Sequence, residues 1–492
     1  MVVTYLPILI PVPLLLFAFI GTLAGLWRRS LAYGAALLGT AISLGVATAG
    51  LVVVLSEGNL HHFLGGWDPP WGIEYVLDPL SAFMAMLVTF IGLVVLIYSR
   101  QSLLHELPER VVPLYVLKLL LLAGLTGIAV TGDLFNLYVF LEIASLAAYA
   151  LMAVGGRQSA MAAFRYVVLG TIGGTFYLLG VGFIYFSTGT LNMADAAQRL
   201  PALYESRAIM AAVAFIVLGL GLKMALFPLH VWLPDAYTYA PSAVAGLIAP
   251  IMTKVFAYAL VRMFLTVFQP DYFRVTLPVT DIIGWLSAAG IVIASILAIA
   301  QRDLRRMLAY SSVAQVAYIG LGIGLANPLG MIGALLHILN HAFMKACLFL
   351  IAGGIRFRTG LVDIPLFAGF GRLMPWTMAA FTMAALSMVG IPPACGFFSK
   401  WYLVLAGLDA GNWVFVAVIL ISSLLNAVYF FRVLEQVYIR PLREGVAEEQ
   451  VREPPAEMLA PILVLAAGII ILGIINVVIV TQVLYPVTEP LR

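Results

Sequence analysis

The chain has 492 residues, of which 63% are hydrophobic and only 10% are charged. No soluble domain is this apolar, so the composition excludes a soluble enzyme and indicates a polytopic membrane protein. The net charge of +3 is too small to indicate a nucleic-acid partner, and the two cysteines, Cys347 and Cys395, form no disulfide or metal-binding pattern.

Apolar runs of about 20 residues are long enough to cross the hydrocarbon core of a bilayer. About fourteen such runs predict an all-α polytopic membrane protein with spans near 6–26, 31–55, 77–98, 112–131, 133–154, 161–186, 208–228, 242–265, 278–300, 306–326, 330–354, 374–408, 411–433 and 460–483.

Arginine is distributed unevenly among the predicted connections. Odd-numbered connections carry most of it, including Arg28, Arg302 and Arg443, whereas the long connection Ser56–Tyr75 has no lysine or arginine. Positively charged loops tend to stay in the cytoplasm. The odd-numbered loops are therefore predicted to be cytoplasmic, which places both termini outside.

Two predicted spans are interrupted by proline close to a lysine. GLGLKMALFPLHVWLP places Lys223 before Pro228, and SMVGIPPACGFFSKWY places Lys400 after Pro393. The carbonyls that proline frees need protein or water partners inside a bilayer, so broken helices line polar cavities. A faint similarity between IYFSTGTLN and IRFRTGLVD, 171 positions apart, predicts two repeats. The two segments are an odd number of spans apart, so the repeats should be inverted.

Each of the five lysines lies in a strongly apolar stretch: Lys118, Lys223, Lys254, Lys345 and Lys400. A charged lysine at the centre of a membrane helix costs roughly 2.5–3.5 kcal/mol, so such residues are usually functional. Desolvation favours the neutral amine, so a lysine there can release a proton, which an arginine cannot. We expect Lys223 and Lys254, in successive spans, to approach each other. Snorkelling to an interface is the alternative for Lys254 and the favoured interpretation of Lys118, which lies near a span end.

Glu142 lies in the middle of the fifth predicted span, in LYVFLEIASLAAY. A carboxylate there must be protonated or paired, because an unpaired buried charge is too costly. One interpretation is a static ion pair or a packing hydrogen bond. The other is a modulator whose charge alters the proton affinity of a neighbouring lysine as the pair opens and closes.

The segment ALLHILNHAFMKACLFL places His337, His341 and Lys345 at helical spacing of four residues, so they share one face. Histidine can pass a proton through either ring nitrogen near neutral pH. Satisfied core histidines and a zinc site are the competing interpretations. No third metal ligand falls nearby in the sequence and Lys345 would repel a cation, so no metal is expected. Sodium needs several oxygen ligands, so this set of residues favours protons.

At these residues the chain resembles the antiporter-like membrane subunits of respiratory complex I and of the Mrp multisubunit cation/proton antiporters. The resemblance covers nearly the whole chain and rests on GDLFNLYVFLE (Gly132–Glu142), KMALFPLHVWLPDAYTYAPS (Lys223–Ser242), TKVFAYALVR (Thr253–Arg262), RRMLAYSSVAQVAY (Arg305–Tyr318), HILNHAFMKACLFLIAGG (His337–Gly354) and GIPPACGFFSKW (Gly390–Trp401). GTLNMAD (Gly189–Asp195) and the chain length are most similar to the D-type Mrp subunit and to its relatives in membrane-bound hydrogenases.

The resemblance implies fourteen transmembrane helices with two inverted five-helix repeats, each containing a broken helix. The implied segments are an N-terminal three-helix segment, a first repeat, a second repeat and a C-terminal helix, over 1–105, 106–266, 275–440 and 455–492. The chain ends soon after its last predicted span, without the long lateral helix of the largest family members. The resemblance therefore implies an inner member of a stack of subunits.

The resemblance also implies a proton path in the membrane plane through Glu142, Lys223, Lys254, His337, His341, Lys345 and Lys400. One departure concerns the tenth span. Some family members have a histidine where this chain has Gln315, which can order water but cannot hold a proton.

The implied function is that of a proton-translocating D-type subunit of an Mrp-like Na⁺/H⁺ antiporter in a prokaryotic plasma membrane. Its expected partners are other membrane subunits, including a larger antiporter-like subunit, with H⁺, Na⁺ and the lipid bilayer, and it needs no cofactor. It would itself catalyse no reaction. The first alternative is a proton-pumping subunit of a complex I-type quinone reductase or a membrane-bound hydrogenase. A stand-alone ion-coupled solute carrier and a passive scaffold remain as further alternatives.

Overall fold

The computed structural model describes residues 3–442 and 451–491, and Arg443 and Arg492 lie outside the described residues. Helices dominate the described part. From the N-terminus to the middle of the chain they are α1 Leu6–Leu9, α2 Pro11–Trp27, α3 Arg29–Glu57, α4 Pro79–Glu106, α5 Val111–Val130, α6 Leu134–Ala153, α7 Arg157–Thr188, α8 Met193–Arg199, α9 Arg207–Lys223, α10 Leu233–Tyr239 and α11 Ser242–Arg262.

The second half of the described chain is built in the same way. Its helices are α12 Val279–Ile299, α13 Leu304–Leu325, α14 Pro328–Thr359, α15 Phe370–Leu373, α16 Pro375–Val389, α17 Cys395–Asp409, α18 Trp413–Leu434, α19 Ala456–Ile474, α20 Asn476–Ile479 and α21 Tyr485–Val487.

Among the described residues, 11 helices are long and apolar enough to cross a membrane, or 12 if α1 and α2, which meet at a 51° bend, form one span. Two of the predicted spans are divided. The run 208–228 becomes α9, which ends at Lys223, and an irregular turn before α10; the run 374–408 becomes α16 and α17. The protein is thus a polytopic, mostly helical membrane protein with interrupted helices where the proline motifs lie.

One connection departs from the all-α prediction. Within the predicted long connection Ser56–Tyr75 and just beyond it, β1 (Leu60–Phe63) and β2 (Glu74–Leu77) form an antiparallel hairpin, with Leu60 opposite Leu77. Four-residue strands are too short for residue alternation to reveal them among apolar helices. The two strands of the hairpin provide hydrogen-bond partners for the backbone polar groups of this long loop.

Helix ends follow local residue chemistry. Asp133 and Asp303 begin α6 and α13 by accepting hydrogen bonds from the backbone N–H groups of Asn136 and Arg306, at 2.6 and 2.9 Å. The 32-residue helices α7 and α14 both end at a glycine in the left-handed region, which lacks the steric penalty of a side chain.

Helices α11, α13 and α14 form the centre of the molecule. The most apolar stretches of α11 and α14 are completely buried and that of α13 is 94% buried, whereas fewer than half of the residues in those of α3, α7, α18 and α19 are buried. Lys254 on α11 and His337, His341 and Lys345 on α14 are fully buried, so other protein helices separate them from lipid. That separation makes polar chemistry possible at membrane depth.

Candidate functional site

Glu142 and Lys223 form an ion pair at the junction of α6 and the end of α9. The Lys223 Nζ lies 3.6 Å from Oε1 of Glu142, and the lysine side chain is fully buried whereas the carboxylate side chain is 26% exposed. Lys223 also donates to the hydroxyls of Ser145 and Tyr149, at 2.7 and 3.4 Å. A 3.6 Å ion pair is longer than a charge-assisted hydrogen bond, and the hydroxyls provide partners for the lysine if the pair separates.

Lys254 lies on the central helix α11 and is fully buried. Its Nζ donates to the carbonyl of Ala249 at 2.6 Å, one turn earlier on the same helix. Snorkelling to an interface is therefore wrong for this lysine. No hydrogen bond joins Lys254 to Lys223 within residues 3–442 and 451–491, and the expected approach of the two lysines stays a prediction.

His337 and His341 stack on one face of α14, as their spacing predicted, with ring centroids 5.7 Å apart. Both are fully buried. Nδ1 of His337 is hydrogen-bonded to Oγ of Ser399 at 2.9 Å. Across the described residues, Nε2 of His337 and both ring nitrogens of His341 have no hydrogen-bond partner.

Lys345 lies on the same helix but reaches toward α13. Its Nζ donates to the carbonyl of Leu308 at 2.8 Å and to Oγ of Ser311 at 2.9 Å. The side chain is fully buried. Both partners are uncharged, so they can hold the amine whether or not it carries an extra proton.

Lys400 lies just after the break between α16 and α17. It donates to the carbonyls of Met388 and Val389, at 2.9 and 3.0 Å, and to Oγ of Ser423 at 3.1 Å. Those carbonyls end α16, where the partial negative charge of the helix dipole favours a cation. The lysine thus satisfies backbone groups that the break leaves without helical partners.

Lys118 is buried in the protein and does not lie at a membrane interface as expected. Its position near a span end favours an interfacial lysine, but its side chain is fully buried in α5 and its Nζ has no hydrogen-bond partner among the described residues. The centre of the Tyr115 ring lies 5.7 Å from Nζ. The interfacial interpretation was wrong because position along a span does not reveal which neighbouring helices cover that end.

Gln315 on α13 is also fully buried, and neither its amide nitrogen nor its amide oxygen is hydrogen-bonded within the described part of the chain. Asn340 on α14 uses its amide nitrogen to bind the Cys395 carbonyl at 2.7 Å. Buried polar atoms without protein partners are unusual, and ordered water normally satisfies them. The interior around α13 and α14 therefore holds buried polar atoms of the kind that ordered water satisfies.

Several residues of this site were not predicted from the sequence. Ser145 and Tyr149 follow Glu142 by three and seven positions, which places them on the same helical face, so their spacing could have indicated them. The partners of Lys345 and Lys400 carried no such signal. Ser311, Ser399 and Ser423 lie on other helices, and only packing brings them to the lysines and histidines.

Comparison with known proteins gives two family matches. Residues 131–426 match the family described as "NADH:quinone oxidoreductase/Mrp antiporter, TM". Residues 65–106 match the family described as "NADH-Ubiquinone oxidoreductase (complex I), chain 5 N-terminus". The first match includes every residue of the predicted path, from Glu142 to Lys400.

Individual relatives agree with these matches. The chain is 52% identical over 458 residues to the N-type subunit of NADH-quinone oxidoreductase from Desulforudis audaxviator, covering 90% of this chain and 91% of that protein. It is 34% identical over 411 residues to the D-type subunit of the Na(+)/H(+) antiporter from Alkalihalophilus pseudofirmus, covering 83% and 82% of the two chains. A chain in the structure of the Mrp complex from Dietzia sp. superposes with a TM-score of 0.89 at 27% identity, covering 100% of this chain and 98% of that one.

Proposed function

Because the chain belongs to the NADH:quinone oxidoreductase/Mrp antiporter family, we propose that it is a proton-translocating subunit of a multisubunit membrane complex. The protons move in the membrane plane along a relay formed by Glu142, Lys223, Lys254, His337, His341, Lys345 and Lys400. The chain carries out this transport with its own side chains and ordered water.

The partners of the buried lysines carry this proposal. Among the described residues, Lys254, Lys345 and Lys400 donate hydrogen bonds only to neutral oxygens. Permanently charged lysines in a low-dielectric interior normally need a carboxylate partner. A lysine that is held by carbonyls and hydroxyls is suited to lose and regain a proton.

The pair of Glu142 and Lys223 is the proposed control point. A neighbouring subunit that draws the partly exposed Glu142 away from Lys223 would weaken the hold of Lys223 on its proton. The proton would pass to Lys254, then through the face of α14 to Lys400. Moving one charge against 100 mV takes about 2.3 kcal/mol, and a shift of one unit in proton affinity is worth about 1.4 kcal/mol. A change of about two units at one lysine is therefore sufficient.

Two kinds of complex are supported. Similarity of GTLNMAD to the D-type Mrp subunit and the match to the D-type Na(+)/H(+) antiporter relative favour a cation/proton antiporter. The 52% identity to a quinone oxidoreductase subunit favours the redox-driven alternative. The driver is decided by the subunits that co-purify with the tagged chain: iron–sulfur or flavin subunits indicate a redox enzyme, and other antiporter subunits alone indicate the cation exchanger. A single purified chain that transports in liposomes would instead support a stand-alone carrier.

We also propose fourteen spans, obtained by adding the broken pairs α9–α10 and α16–α17 to the 12 spans described above. The proposed segments are 1–105, 106–266, 275–440 and 455–492. Two isolated bridges support the repeats: Asp133 pairs with Asn192, and Asp303 pairs with Asp363. In each case the aspartate that caps a helix pairs with a residue of the loop that follows the next long helix. The second bridge lies about 170 positions after the first in the sequence.

The main test replaces the lysines at the two breaks. Lys223→Ala and Lys400→Ala should each abolish proton movement by the reconstituted complex and leave assembly intact. Lys223→Arg should abolish it too, because arginine keeps the charge beside Glu142 but cannot release a proton. Transport would be followed with a pH-sensitive dye in proteoliposomes.

Arg440→Ala is a suitable control, since it removes an exposed cation whose ion pair with Glu435 lies away from the relay. It should transport like the wild type. Full transport by Lys223→Arg would mean that Lys223 serves only as a static ion-pair partner, and the relay would be rejected.

A further inference from the structure

A second series of hydrogen bonds links Lys345 to Lys400 without using the histidines. Lys345 Nζ donates to Ser311 Oγ at 2.9 Å, and the Ser311 and Tyr429 oxygens are 3.0 Å apart. The Tyr429 hydroxyl lies 2.8 Å from Oδ1 of Asn426. The Asn426 amide nitrogen donates to the Met388 carbonyl at 3.2 Å, and that carbonyl also accepts from Lys400 at 2.9 Å.

Every side chain between the two lysines is completely shielded from solvent. Ser311, Asn426 and Tyr429 each have zero exposed surface. Five helices supply the series, since Lys345 is on α14, Ser311 on α13, Asn426 and Tyr429 on α18, the Met388 carbonyl at the end of α16 and Lys400 on α17. Such a network in a low-dielectric interior is strong when satisfied and costly when a member loses its partner.

The Tyr429 hydroxyl is the point at which the series can change. It has one proton but two neighbouring acceptors, Oγ of Ser311 and Oδ1 of Asn426. The proton can therefore satisfy only one of them at a time. Which acceptor it satisfies depends on whether the Ser311 hydroxyl donates its proton to Tyr429 or to Lys345.

The charge on Lys345 determines that choice. When Lys345 is an ammonium, it donates to Ser311, so the serine proton points to Tyr429 and the tyrosine proton points to Asn426. When Lys345 is a neutral amine, it can accept the serine proton; Tyr429 then donates to Ser311, and Oδ1 of Asn426 loses its donor. Asn426 is then less firmly held where it shares the Met388 carbonyl with Lys400.

We propose that Tyr429 is a hydrogen-bond switch that reports the proton occupancy of Lys345 to Lys400. The amide of Asn426 cannot readily pass a proton along, so the series transmits an orientation and the proton itself travels elsewhere. Ser311, Tyr429 and Asn426 are thus positioning residues. This inference rests on the proposed function, because it assumes that Lys345 and Lys400 exchange protons during turnover.

A double-mutant cycle tests the switch through two residues, Ser311 and Asn426, that are both hydrogen-bonded to the Tyr429 hydroxyl. Ser311→Ala and Asn426→Ala should each lower the rate of proton transport by the reconstituted complex roughly tenfold. If both act through one series, the double variant should also lose roughly tenfold, and not the roughly hundredfold product expected of independent sites. Tyr429→Phe should give the same tenfold loss, and adding Ser311→Ala to it should change nothing.

Ser295→Ala provides the matched control. Ser295 is a fully buried serine on α12 whose hydroxyl also contacts α18, at Ser422, but it is not a member of the series. Alone it should transport like the wild type, and with Asn426→Ala the two effects should multiply.

A hundredfold loss in the Ser311→Ala, Asn426→Ala double variant would overturn the switch, and so would single variants within about twofold of wild type. Tyr429→Phe keeps the ring and its packing, so it remains informative if an alanine variant fails to assemble. Lys223 is not a member of the series, so the Lys223→Ala variant tests the proton relay independently of the switch. If Lys223→Ala is inactive while the effects of Ser311→Ala and Asn426→Ala multiply, the switch is rejected and the proposed relay is retained.

Discussion

At the scale of single residues, glycine shapes the space around the Glu142–Lys223 pair. Gly170 and Gly174 on α7 face Tyr149 and Glu142, and a Cβ at either position would collide with the hydroxyl or with the carboxylate oxygen. The two glycines are one turn apart and thus form a smooth strip on α7. Their small size lets the carboxylate lie between α6 and α7 close to Lys223.

A single methyl group at this strip should disturb the pair. Gly174→Ala should force the Glu142 carboxylate away from its present position and lower proton transport severalfold, because the 3.6 Å contact with Lys223 cannot be kept. Gly182→Ala is the control on the same helix, since a Cβ there meets nothing within 4 Å. Equal transport by the two variants would show that the position of Glu142 is not critical.

At the scale of elements, the broken helices and the ion pairs between helices determine where the charges lie. Lys223 ends α9 and Lys400 binds the carbonyls that end α16, so each break holds a lysine. A different contact connects α4 to α11. Arg262 donates to both carboxylate oxygens of Asp78, at 2.5 and 2.9 Å, and Asp78 also caps α4.

The Asp78–Arg262 contact should contribute a pH-dependent stability. Burial alone would raise the pKa of Asp78, but the charge of Arg262 and hydrogen bonds from Arg262 and Ser81 outweigh it and keep the pKa below its ordinary value. A lowered native pKa stabilises the fold above the unfolded value of about 4, and this contribution disappears as the pH falls through the native pKa.

We therefore expect Asp78→Asn to destabilise the complex by about 2–4 kcal/mol at pH 7, with a smaller effect as the pH falls below about 4. Thermal unfolding of the detergent-solubilised complex would measure it. Glu435→Gln, which breaks an exposed ion pair with Arg440, should shift the midpoint very little. A pH-independent effect of Asp78→Asn would argue against the ion pair as its cause.

At the scale of the whole molecule, the distribution of arginine predicts a direction in the membrane. The β-hairpin connection carries no lysine or arginine between Ser56 and Tyr75, whereas the connection after α4 carries Arg110. The positive-inside rule places the first outside and the second in the cytoplasm. The two termini would then lie outside as well.

Cysteine labelling can test this direction. A membrane-impermeant maleimide added to intact cells should label Trp71→Cys, whose side chain is 89% exposed in the hairpin connection, and leave Glu109→Cys unlabelled until the cells are opened. Cys347 and Cys395 are buried and should not compete. Labelling of Glu109→Cys in intact cells would reverse the proposed orientation.

Much of the fold could be predicted because a bilayer imposes simple rules. Span length and the proline breaks follow from short-range chemistry. The hairpin was missed because its strands are only four residues long. The interpretation of Lys118 was wrong because burial depends on helices distant in the sequence.

The sequence by itself determined the family, the membrane-spanning character and the ionisable residues of the interior, since each depends on residue type and local spacing. Only the tertiary structure decided what those residues contact. It placed Lys345 against Ser311, Lys400 against the end of α16 and Lys254 against the carbonyl of Ala249. The physical reason is that hydrogen bonds between helices depend on packing over tens to hundreds of residues, which local periodicity does not encode.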